Sequence, residues 1–155
     1  MPSASFVKTL AHDYPQFVFQ NASVSRWSPA SSTVYYSDDM SPEGKLILLH
    51  ELGHALAGHT SYTKDIELLA CERQAWQQAC ALARTYDVPV VHETIEAHMD
   101  SYREWLHARS RCPSCLSAGI QTRDLAYRCV LCMTSWTAND ARQCGLKRYK
   151  KNTTV

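Results

Sequence analysis

Several features that would assign this 155-residue chain to a common class are missing from it. No run of 18 or more apolar residues occurs, so no membrane-spanning helix is expected. The stretch from Met1 to Pro15 lacks a basic segment followed by an apolar one, the layout of an export signal. No internal repeat or low-complexity tract interrupts it. Acidic residues are nearly absent from the last third. Residues 111–155 hold Asp124, Asp140 and no glutamate against 8 Lys+Arg, a balance of +6. Residues 1–110 carry 8 Lys+Arg and 13 Asp+Glu, a balance of −5, and the two parts sum to the net +1. These absences lead to the expectation of a cytoplasmic protein with no membrane partner and with a basic tail.

What is present fits one ordinary domain joined to a small metal-stapled module. Apolar residues make up 45%, enough for a core. Of 7 cysteines, 4 form two Cys-x-x-Cys pairs, Cys112/Cys115 and Cys129/Cys132, with 13 residues between them. In a reducing compartment such pairs read as metal ligands before disulfides. Four thiolates at this spacing make a closed tetrahedral zinc site. So short a module buries little core alone, so the metal is expected to supply its folding energy. Short β-prone runs at residues 119–121, 126–128 and 134–136 alternate with the cysteine knuckles. The arrangement looks like a zinc ribbon over residues 111–147, followed by a frayed basic and polar tail over 148–155.

Upstream, residues 3–13 read as a helix with Phe6, Val7 and Leu10 on one side. Phe17-Val18-Phe19 and Thr33-Val34-Tyr35-Tyr36 predict a small antiparallel sheet. Ser41-Pro42-Glu43-Gly44 is a helix start, with Ser at the cap and Pro at the first helical position. Leu46, Leu49, Leu52 and Leu56 follow near a 3.6-residue period, and Gly58 ends the helix. A second helix, capped by Thr63, runs to about Tyr86. A third spans about Val90 to Ala108, with Ile95, Met99, Tyr102 and Leu106 on one stripe. The expected class is α+β, with a catalytic domain over residues 1–110.

The first of these long helices carries His50-Glu51-Leu52-Gly53-His54. Residues four apart on a helix differ by about 40° in direction, so the two imidazoles share a face. Two imidazoles there can hold one Zn²⁺, while Glu51, rotated about 100°, flanks the ion as a general base for its bound water. A third protein ligand is required. His59 lies five residues after His54 and serves only if the chain turns sharply at Gly58. On the next helix Glu67 and Glu72 differ by about 140°, so at most one faces the zinc helix. Asp65 shares the face of Glu72 but sits about 10 Å further along the axis. Ala75, Ala79 and Ala83 share the phase of Glu72 and permit close packing. Glu72 is therefore the expected third ligand. Gly53 admits another backbone close to the zinc helix.

These residues resemble the gluzincin peptidases, in particular the ImmA/IrrE-like group. The likeness lies in His50-Glu51-Leu52-Gly53-His54 and in Glu72-Arg73-Gln74-Ala75-Trp76-Gln77-Gln78-Ala79, set against the group's Glu-x-Glu-Ala-Asn-x-Phe-Ala helix. Gln74, Trp76 and Gln78 stand where that pattern has Glu, Asn and Phe. The resemblance covers about residues 41–84. It implies a zincin-like fold and zinc-dependent cleavage of a regulatory protein, with the first Glu of the second helix on the metal. A second resemblance is to the SprT-like proteases, which also join such a helix to a C-terminal ribbon, take a His as third ligand, and act on DNA-bound proteins.

Two zinc ions per chain follow, one catalytic and one structural. Tyr62, His92 and His98 are the candidates for stabilising an oxyanion. Arg123, Arg128, Arg142, Lys147, Arg148, Lys150 and Lys151, interleaved with Tyr127, Trp136 and Tyr149, point to nucleic acid or protein as a ribbon partner. The alternative to a peptidase is a non-catalytic regulatory or nucleic-acid-binding protein. Cys71, Cys80 and Cys144 have no Cys-x-x-Cys partner; Cys71 and Cys80, on opposite sides of their helix, read as packed thiols.

Overall fold

The computed structural model describes residues 3–142 and 145–151, so Cys144 lies outside the described residues. Among the described residues, four helices and two small sheets give an α+β class. None of the described helices is long and apolar enough to cross a membrane. Contacts divide the chain into two compact units: Met1–Ser61 with Ala70–Glu96, and Tyr62–Leu69 with Ala97–Val155. The division does not fall at residue 110.

In the first unit, α1 (Ser3–Asp13) buries Phe6, Val7 and Leu10, the three residues its sequence spacing placed together. Tyr86 packs its ring edge-on against Phe6 and donates its hydroxyl to Asp13 at 2.7 Å. The sheet that follows has the order β1-β3-β2, built from β1 (Val18–Asn21), β2 (Arg26–Ser28) and β3 (Thr33–Tyr36). It is mixed, not antiparallel as the sequence predicts. β2 pairs with β3 antiparallel, whereas β1 lies parallel to β3, with Phe19 opposite Val34. The cause is the extra strand Arg26–Ser28, whose run Arg-Trp-Ser carries no β-branched pattern to announce it. It reverses the chain once before β3 and so returns β3 parallel to β1.

Against this sheet lies α2 (Pro42–Ala57), capped by Ser41, whose Oγ accepts the Gly44 amide at 3.1 Å. Leu46, Leu48, Leu49 and Leu52 are fully buried. Leu56, expected on the same stripe, is exposed, and Leu48 takes its place inside. The helix is covered on more than one side, so a single 3.6-residue stripe understates its core. The next helix, α3 (Asp65–Thr85), contributes Ala75, Ala79 and Ala83, all fully buried. A Cβ added at Gly53 would meet the Ala75 carbonyl oxygen at 2.5 Å, so the α2 and α3 backbones touch where a side chain could not fit.

The second unit holds the start of α3, most of α4 (His92–Ser110) and a four-stranded antiparallel sheet. Its strands are β4 (Ile120–Arg123), β5 (Ala126–Arg128), β6 (Ser135–Ala138) and β7 (Arg148–Lys150), in that order. The expected frayed tail is thus corrected at residues 148–150, which pair with β6, Tyr149 opposite Thr137. Thr63, expected to cap α3, instead joins Lys64 in donating to Glu67, whose Oε2 accepts both backbone amides at 2.9 and 3.0 Å.

The four-stranded sheet does not stand alone in this unit. Arg109 of α4 is 1% exposed, lies over the Trp105 ring at 4.3 Å and pairs with Asp65. Tyr127 donates its hydroxyl to the other Asp65 oxygen at 2.7 Å, and Trp136 donates its indole N–H to the Arg109 carbonyl at 3.0 Å. A charge buried this deeply persists because its partner and its ring are both in place.

Candidate metal centres

Among the described residues, two groups of side chains have ligand atoms close enough to share a metal ion: His50, His54 and Glu72, and Cys112, Cys115, Cys129 and Cys132. Both were predicted from spacing in the sequence.

The first group forms between α2 and α3. Helical phase points both histidines of α2 towards α3, and the Gly53 contact brings Glu72 within reach. The Nε2 atoms of His50 and His54 are 3.1 Å apart. Glu72 Oε2 lies 3.1 Å from His50 Nε2, and its Oε1 lies 3.4 Å from His54 Nε2. A tetrahedral ion with ligands at about 2.0–2.1 Å separates those ligands by about 3.3–3.4 Å. The observed edges are close to that, so the donor set fits one small cation. His50 is 3% exposed and Glu72 is 4% exposed, so little water competes for the ligand atoms. Burial alone would raise the Glu72 carboxyl. Its contacts with the His50 and His54 imidazoles outweigh that and hold it well below the usual carboxylate range.

Glu51 stands outside the ligand group. Its Oε2 accepts the backbone N–H of Trp27 on β2 at 2.8 Å, which orients the carboxyl. Burial pushes the metal-free Glu51 carboxyl up to about 7, against the lowering effects of His54 and the Trp27 amide.

The sharp turn that His59 needs is present. Gly58 caps α2 in the left-handed region at φ 69°, and His59 donates its backbone N–H to the His54 carbonyl at 3.1 Å. Left-handed backbone costs residues with a Cβ about 1–2 kcal/mol, so Gly is the residue suited to this cap. The turn does not, however, bring His59 into the ligand group. It sets His59 Nδ1 against His54 Nδ1 at 2.8 Å, with His59 Nε2 at 2.9 Å from Gln74 Oε1. Trp76 is buried and stacks on His50, with ring centroids 4.1 Å apart and planes 24° from parallel. Sequence reasoning missed these roles for Gln74, Trp76 and Trp27. The turn at Gly58 was a signal for His59. The long-range Trp27 contact left none.

The second group is built from two copies of one turn. Cys112 accepts at its carbonyl from the Leu116 amide at 3.0 Å, and Cys129 accepts from the Met133 amide at 3.1 Å. Leu116 and Met133 both adopt positive φ, 66° and 63°. Backbone amides of Ser114 and Cys132 aim at the Cys112 and Cys129 sulfurs at 3.4 and 3.5 Å. Cys112 and Cys132 sulfurs are 3.5 Å apart, as are those of Cys115 and Cys129. That is too far for a disulfide and near the roughly 3.8 Å edge of a tetrahedral thiolate site.

The remaining candidates scatter. Tyr62 and His98 belong to the second unit, not to the unit carrying the His50 group. Burial raises the Tyr62 hydroxyl, with Asp140, Arg109, Asp65 and Arg142 acting on it. His92 is exposed at the first position of α4. Of the three interleaved aromatics, Tyr127 and Trp136 are core residues that no base can reach, and only Tyr149 is exposed, at 52%. Arg142 lies over the Tyr102 ring at 3.7 Å. Arg123, Arg128, Lys147, Lys150 and Lys151 are exposed. Cys71 and Cys80 are half-buried thiols on α3.

No family model, curated protein or solved structure matches this chain.

Proposed function

We propose that the protein is a zinc-dependent peptidase in which His50, His54 and Glu72 hold the catalytic ion and Glu51 moves the proton. The four ribbon cysteines hold a second, structural zinc. The observation that carries this reading is the convergence of two imidazole nitrogens and one carboxylate at tetrahedral spacing, with the half-buried carboxyl of Glu51 outside that ligand group. Zinc suits a nitrogen and oxygen set of this kind, and three protein ligands leave a fourth position open.

When bound, the ion would act as a Lewis acid on a peptide carbonyl and acidify a water. The chain's own residues do the rest. Glu51 takes the proton of the attacking water on its carboxylate and returns it to the leaving amine. The Trp27 amide holds Glu51 Oε2 and so fixes the carboxyl for both transfers. Burial moves its proton affinity towards neutrality, the direction a proton shuttle needs. A glutamate as third ligand favours the gluzincin-like reading over the SprT-like one, in which that ligand is a histidine. The substrate class is a protein, and the resemblance suggests a regulatory one.

The experiment is Glu51→Gln in the full chain. Both zinc ions are expected to remain, while cleavage of a mixed peptide library falls by roughly 10²–10⁴-fold. Undiminished turnover would remove Glu51 from the reaction. The second reading, nucleic-acid binding, rests on the exposed Arg123, Arg128, Lys147, Lys150 and Lys151. It predicts binding to DNA or RNA that weakens steeply with salt.

A further inference from the structure

His54 presents one ring nitrogen to the ligand group and the other to His59. The second contact decides which of them carries the proton. Gln74 Oε1, at 2.9 Å from His59 Nε2, is an amide oxygen and only accepts. A neutral His59 therefore bears its proton on Nε2 and leaves a lone pair on Nδ1. That lone pair faces His54 Nδ1 at 2.8 Å and is placed to accept the His54 proton. His54 Nε2 is then without a proton and directs its lone pair at the position shared with His50 and Glu72. A metal ion needs that lone pair.

The backbone holds His59 in place from two sides. Its amide donates to the His54 carbonyl through the Gly58 turn, and its carbonyl accepts the Trp27 indole N–H at 2.9 Å. We infer that His59 and Gln74 form a hydrogen-bond relay that keeps His54 in its metal-ready tautomer and thereby sets the affinity of the site. They are positioning residues, acting through His54. The inference rests on the reading of His50, His54 and Glu72 as a metal site. Gln74 is exposed at the outer end, so its share is the smaller one.

The test has two readouts on the full chain. Long-range proton–nitrogen correlations of the protein carrying zinc at the four cysteines and none at His50 and His54 report the tautomer of His54 directly. The relay requires the proton on Nδ1, and a proton on Nε2 in the wild type overturns it. Zinc affinity, measured against a competing chromophoric chelator, is expected to fall roughly 10–100-fold in His59→Ala. Gln74→Ala moves it less, in the same direction. His59→Asn places an amide oxygen where Nδ1 was and should restore most of the affinity. Equal losses in the Asn and Ala variants would assign His59 a packing role and end the proposal. If His59→Ala does not fold, the wild-type tautomer decides by itself. A wild type that takes up only the ribbon zinc, yet carries the Nδ1 proton on His54, keeps the relay and fails the metal reading.

Discussion

The two candidate metal groups are built in opposite ways. The cysteine group draws four ligands from two turns of a small sheet whose core is little more than Cys112, Tyr127, Cys129, Trp136 and Ala138. Two of its ligands belong to that core, so the metal and the packing are hard to separate. The histidine group draws three side chains from two helices that bury Leu46, Leu48, Leu49, Leu52, Ala75, Ala79 and Ala83, a core that contains none of the three except His50 and Glu72 at its edge. A fold that exists before the metal can leave a coordination position open for chemistry, whereas one that needs the metal uses every position to hold itself together.

The largest expected effect breaks that comparison at the ribbon. Cys129→Ser should cost most of the structural-zinc contribution, on the order of 10 kcal/mol, and abolish the ordered amide signals of β4 to β7. His50→Ala should leave the helix signals of α1 and α2 in place. Comparable unfolding in both variants would show that the helices also depend on their ion. Next comes Arg109→Ala, which leaves Asp65 facing Tyr127 without its charge partner. A loss of about 3–5 kcal/mol in denaturant unfolding is expected, because a buried pair is broken from one side. A loss near zero would mean that the metal alone holds the ribbon unit. Smaller still is Gly53→Ala, which drives a methyl into the Ala75 carbonyl. It should destabilise by about 1–3 kcal/mol and weaken metal uptake by the histidine group. Uptake by the cysteine group should not change.

Much of the ligand chemistry was legible in the sequence because it is local. His50 and His54 are one helical turn apart, and each Cys-x-x-Cys closes within one turn of chain. Helix phase also selected Glu72 on another element, since a helix has only one direction facing its neighbour and Ala75, Ala79 and Ala83 marked it. What was not legible depended on long-range pairing. Arg26-Trp27-Ser28 gives no sign of being a strand, so the sheet's mixed topology and the Trp27–Glu51 hydrogen bond were both missed. Nothing in the sequence marked Arg109, which pairs with Asp65, lies over Trp105 and is buried. Residues 148–150 read as a loose basic tail because a strand added at a sheet edge draws its stability from its partner, here β6, and not from its own composition. Tyr127 and Trp136 were misplaced for a related reason: an aromatic beside arginines looks like a base-stacking platform until its strand's facing is known.

The turn at Gly58 also dictates where this chain tolerates a change of length. Four contacts pass through two consecutive residues: the Gly58 amide to Ala55, the His59 amide to His54, the Trp27 indole to the His59 carbonyl, and the His59 ring to His54. One residue inserted between Gly58 and His59 would carry the imidazole past all of its partners at once. The same residue inserted after Thr60 enters irregular backbone that leads to α3. Among homologous chains, gaps are therefore expected after position 60 and not across positions 57–59, whatever residues those chains carry.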